Sequence, residues 1–115
     1  MDDQTPCGCA SATAQYDSFA KWRDLDPDLT EGRYADVTIL KCRECGQLWL
    51  RYLVEYEAFS RSGRWGRGRI DEDRALTIQP HEGAPFLAEL PSHLYGGSWF
   101  NGQGGERSGP MEWGI

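Results

Sequence analysis

The stretch Lys41-Cys42-Arg43-Glu44-Cys45-Gly46-Gln47-Leu48-Trp49-Leu50 joins the two signals that decide the fold. Two cysteines separated by two residues, with a glycine straight after the second, mark a tight turn. The amides of such a turn can point at both sulfurs. Strict alternation then begins. Leu48, Leu50, Tyr52, Val54 and Tyr56 share one face of a strand over residues 48–56, and Trp49, Arg51, Leu53 and Glu55 share the other. The first face is apolar throughout and the second is mixed. Upstream, Val37-Thr38-Ile39-Leu40 is a short run rich in β-branched residues, which reads as a strand leading to Cys42. Downstream, Ser60-Arg61-Ser62-Gly63 reads as a turn and residues 64–70 as a third strand around Trp65. Gly66 and Gly68 inside it mark a bulge or the close approach of another backbone. Together these strands form an antiparallel meander beside the cysteines.

Outside the meander the signals are shorter. Residues 17–25 read as a helix capped by Asp17 or Ser18, because Phe19 and Trp22 lie three apart and share a helical face. Pro27 ends it by disfavouring helix at Asp26. Asp24, Asp26, Asp28, Glu31 and Asp36 crowd the next segment without the glycine and closing glutamate of a calcium loop, so they read as a solvated acidic surface. Asp71-Glu72-Asp73-Arg74 is a charged break, and Leu76-Thr77-Ile78 reads as a fourth, short strand. Residues 85–90 give one or two helical turns, opened by Pro85 and stopped by Pro91. From Gly96 onward lie seven of the 14 glycines, so this tail is expected to be irregular and partly mobile. It also holds Trp99, Phe100, Met111 and Trp113, which either pack back on the sheet or meet a partner. At 115 residues the whole reads as one α+β domain. Its expected centre is a small three- to four-stranded antiparallel sheet with one or two short helices.

A chain this short gains from a clip. Besides Cys42 and Cys45 the only cysteines are Cys7 and Cys9, in an arm that is otherwise small and polar, and 32 residues separate Cys9 from Cys42. In a strand, one intervening residue puts Cys7 and Cys9 on the same face. A metal held by about four ligands would then join the arm to the middle of the chain. The pair Cys42 and Cys45 with Gly46 resembles the knuckle of zinc-ribbon and rubredoxin-like proteins, over about ten residues. That resemblance implies structural zinc (Zn2+) on Cys7, Cys9, Cys42 and Cys45, in a coordinatively closed site. Those families carry two knuckles with two residues between cysteines, and the first pair here has one. Iron also fits four thiolates, and His81 and His93 are the available substitute ligands. A redox dithiol is disfavoured, because a strand rather than a helix follows the second pair. With metal bound, residues 1–115 form a single zinc-stabilised domain, residues 1–6 and parts of 96–115 being mobile.

The net charge of −6 is unevenly spread. Residues 1–40 carry eight acids and three bases, residues 41–70 three acids and seven bases, and residues 71–115 seven acids and two bases. An acidic chain repels nucleic acid and suits a basic protein partner. No stretch approaches the roughly 20 apolar residues of a membrane span. The start Met1-Asp2-Asp3-Gln4 is no signal peptide, so a cytoplasmic, reducing setting is expected. No phosphate-binding glycine loop, nucleophile elbow or His-Glu-x-x-His motif is present, so binding rather than catalysis is expected. The leading expectation is a bacterial protein-interaction module, such as an immunity or inhibitor protein that holds a basic partner. The alternative is a zinc-ribbon nucleic-acid binder. It would use Arg61, Arg64, Trp65, Arg67 and Arg69, arginines interleaved with aromatics and glycines that can grip phosphate and stack on bases. The same residues can hold a protein partner's carboxylates. The glycine-rich strand and aromatic tail also suit a homodimer edge.

Overall fold

The computed structural model describes residues 9, 18–30, 35–54, 64–97 and 105–109. Its centre is one six-stranded antiparallel sheet in the order β1-β2-β3-β4-β5-β6, each strand paired with its sequence neighbours. The strands are β1 (Phe19–Asp24), β2 (Ala35–Cys42), β3 (Leu48–Val54), β4 (Arg64–Arg69), β5 (His93–Gly97) and β6 (Gly105–Arg107). Between β4 and β5 come α1 (Glu72–Thr77), a 3-10 turn over Pro80–Glu82, and α2 (Gly83–Glu89). The α+β class and the central meander agree with the alternation in the sequence. The expected three to four strands fall short of the six observed.

Three corrections account for that difference. Residues 19–24 form an edge strand, not a helix. A spacing of three puts Phe19 and Trp22 on one side of a helix but on opposite sides of a strand. Both sides of this sheet are apolar, and Phe19 packs with one cluster while Trp22 packs against the other. A bulge between Lys21 and Arg23 shifts the register, and Arg23 then donates to the carbonyls of Ala75 (2.7 Å) and Ile78 (3.2 Å) at the end of α1. Second, Leu76 and Thr77 belong to α1, and the charged break before them is its start. Asp71 is the N-cap and accepts a hydrogen bond from the Arg74 amide at 2.8 Å, with Glu72 and Asp73 in the first turn. Third, residues from His93 onward form β5, and the glycine-rich tail supplies its last two residues and β6. The large apolar residues of the tail, Trp99, Phe100, Met111 and Trp113, lie outside the described residues, as do residues 55–63.

One side of the sheet lies under α1 and α2. Ala35, Val37, Ile39, Leu48, Leu50, Tyr52 and Val54 are buried there with Ile70, Ala75, Ile78 and Leu87. Gly68 faces α2, where an added methyl would overlap Leu90 Cδ1 and come within 2.7 Å of Leu87 Cδ2. The glycine in β4 thus serves the close approach of the helix. Asp28 is not part of a solvated acidic surface. It is 2 % exposed, accepts from the Tyr52 hydroxyl, and accepts from the Thr30 amide (3.0 Å) and hydroxyl (2.6 Å). A carboxylate this deep is tolerated because hydrogen bonds replace its water.

Candidate metal centre

The turn between β2 and β3 builds the knuckle. The Gly46 amide donates to the Cys42 carbonyl at 3.0 Å, and the Cys42 amide to the Gln47 carbonyl at 2.9 Å. Gly46 has φ +82°, a left-handed conformation that glycine adopts without a Cβ penalty. The turn also brings the Glu44 amide to 3.4 Å from Cys42 Sγ, where it favours the thiolate. The Arg43 amide donates to the Ser18 carbonyl at 2.9 Å and ties the turn to the approach of β1.

Cys9 arrives from the N-terminal arm. Its Sγ lies 3.6 Å from Cys45 Sγ, and the sulfurs of Cys9, Cys42 and Cys45 all fall within 4.8 Å of one another. Zinc–sulfur bonds of about 2.3 Å in a tetrahedron place sulfurs about 3.8 Å apart, so this donor set fits a thiophilic metal. Cys9 and Cys42 are buried and Cys45 is exposed. Beside Cys45 a groove of 500 Å³ opens between Trp22, Lys41 and the start of α1 at Asp71 and Glu72. Cys7, the expected fourth donor, lies outside the described residues. Neither His81 nor His93 joins the cluster.

A side chain the sequence assigned to a partner surface instead supports this centre. Arg67 is only 4 % exposed, and its Nη2 donates to the Cys9 carbonyl at 3.0 Å. Its guanidinium sits 4.8 Å from the Phe19 ring, 5.1 Å from Trp49 and 5.3 Å from Trp65. Burial pushes its pKa down from the ordinary guanidinium range to about 10, Cys9 pushes it back up, and Arg51, opposite it on β3, pushes it down. It remains a cation at neutral pH. Arg67 thus joins the cysteine-bearing arm to an aromatic box on the sheet.

Arg69 is exposed and lies 5.0 Å over the Trp49 ring, and Trp65 is half-buried. Arg64 lies on β4, while its side chain and Arg61 lie outside the described residues. The signal for Arg67 was present as alternation. In Trp65-Gly66-Arg67-Gly68-Arg69 the glycines take the helix side, so Trp65, Arg67 and Arg69 share the opposite face. Among the described residues no helix is long and apolar enough to cross a membrane. No protein-family model, curated protein or solved structure matches this chain.

Proposed function

We propose that this chain is a small protein-interaction module whose N-terminal arm is fastened to its sheet by a structural zinc, and that it acts by binding a basic partner, as an immunity or inhibitor protein does. The observation that carries the metal half is the meeting of Cys9, from the arm, with Cys42 and Cys45, from the β2–β3 turn. Cys7 completes the set in this reading. A four-thiolate site leaves no open position for substrate, so the metal would serve structure alone.

Charge supports the partner half. Among the described residues the exposed acids are Asp24, Asp26, Asp36, Glu44, Asp71, Glu72, Asp73, Glu89 and Glu106, against the exposed bases Lys21, Lys41, Arg43 and Arg69. That excess draws a basic surface and speeds its encounter. The nucleic-acid reading is weaker, because Arg67 is engaged inside the protein and cannot meet phosphate.

Native mass spectrometry of the protein as purified tests the metal. One zinc per chain, lost in both Cys9→Ser and Cys42→Ser, is expected. A metal-free chain, or zinc retained by Cys9→Ser, overturns the clip. For the partner, affinity capture from the native cell should yield a basic protein whose retention falls with salt and with Glu72→Lys plus Asp73→Lys. Salt-insensitive capture of acidic proteins, or none, defeats that half.

A further inference from the structure

A second cavity lies on the sheet, and none of the three clustered cysteines lines it. It encloses 460 Å³ and is bounded by Trp49, Arg69, Leu90, Ser92, Leu94 and Glu106 among others. Small-molecule sites are typically about 300–1,000 Å³, with apolar walls and a few placed polar groups.

Its two charges are arranged unusually. The Arg69 guanidinium lies over the Trp49 ring at 5.0 Å and has no carboxylate partner among the described residues. Glu106 accepts a hydrogen bond from the Ser92 hydroxyl at 2.6 Å and has no cationic partner among them. A cation and an anion therefore line one cavity without pairing. The register explains why they stay apart. Glu106 pairs with Leu94 on β5, which pairs with Arg67 on β4, and Arg69 lies two residues further along β4, so about 12 Å separates the Arg69 and Glu106 backbones. Stacking holds the guanidinium on its side, and Ser92 holds the carboxylate on the other. Leu90, Leu94 and the Trp49 ring supply apolar surface.

We propose that this cavity binds a small zwitterion with an apolar side group, of the α-amino acid class. Arg69 takes the ligand's carboxylate with its forked donors, and Glu106 takes the ammonium. A simple anion would meet the field of Glu106, and a simple cation that of Arg69. Only a ligand carrying both charges satisfies both walls. None of its lining residues is a clustered cysteine, although Trp49 and Leu94 pack in the same buried cluster as Cys9 and Cys42.

The test uses the full chain as purified, titrated with L-leucine and L-phenylalanine and followed by backbone and indole NMR shifts. L-Leucinamide lacks the carboxylate, and N-acetyl-L-leucine lacks the ammonium. Saturable shifts are expected at β3–β6 with at least one of the two amino acids. Each blocked probe should bind at least about tenfold more weakly, the loss of one charge-assisted hydrogen bond. In Arg69→Gln the handicap of leucinamide should vanish, and in Glu106→Gln that of N-acetyl-leucine. Both substitutions are at exposed positions, and unchanged spectra elsewhere check the fold. No saturation by either amino acid at millimolar concentration, or equal binding of free and blocked leucine, overturns the proposal.

Discussion

On one side of the sheet Val37, Ile39, Leu50 and Val54 pack under Ala75, Ile78 and Leu87 from the region of the two helices. On the other side Phe19, Leu40, Trp49 and Leu94 gather with the Cys9 and Cys42 thiols, and the Arg67 guanidinium lies among the rings. The same strands supply both, since successive side chains alternate between faces. The first side is held by the area it removes from water. The second is held by directional contacts: one charge, one carbonyl and a set of sulfurs. If the proposed metal is bound, removing it should weaken the cysteine side more than the helix side.

The largest expected effect lies on the helix side. Leu50→Ala removes a fully buried side chain at the middle of β3 and should destabilise the chain by about 3–5 kcal/mol in urea unfolding. A cost under about 1 kcal/mol would show that this side is not the main core. Next comes Arg67→Ala, which leaves the Cys9 carbonyl without that donor and opens a void among three rings. A loss of about 2 kcal/mol is expected, together with faster alkylation of Cys9. Repeating both after treatment with a strong chelator sharpens the contrast. The Leu50→Ala cost should stand, while that of Arg67→Ala should shrink once the arm is no longer fastened. Equal costs before and after chelation would mean that Arg67 and the thiols do not act together.

Smaller effects separate local from shared structure. Asp71→Ala removes the α1 cap and should cost about 1 kcal/mol, with faster amide exchange in α1 and no change at the cysteines. Lys21→Ala breaks only an exposed pair with Asp24, at 3.2 Å, and should change stability by less than about 0.5 kcal/mol. A larger loss there would mean that the edge strand β1 relies on charge more than on Phe19 and Trp22.

Particular residues show where the sequence was legible. β3 was readable because Leu48, Leu50, Tyr52 and Val54 repeat with period two long enough to exclude a helix. The knuckle was readable because Cys42, Cys45 and Gly46 describe their own turn. α1 was misread since Leu76-Thr77-Ile78 is too short to show a period, and the cap at Asp71 was a better signal than the apolar run. β6 has three residues, and only pairing with β5 makes it a strand.

The amino-acid sequence by itself determined the local features: the alternating core strand, the cysteine turn, and the glycines that admit α2. These depend on neighbours a few residues apart, whose geometry the backbone dictates. Tertiary structure alone decided that Phe19 and Trp22 serve opposite faces, that Asp28 is buried beneath Tyr52, and that Arg67 reaches the Cys9 carbonyl 58 residues away. The physical reason is that burial is a property of the whole sheet. A spacing of three or a lone arginine has no fixed meaning until the surface it will cover exists.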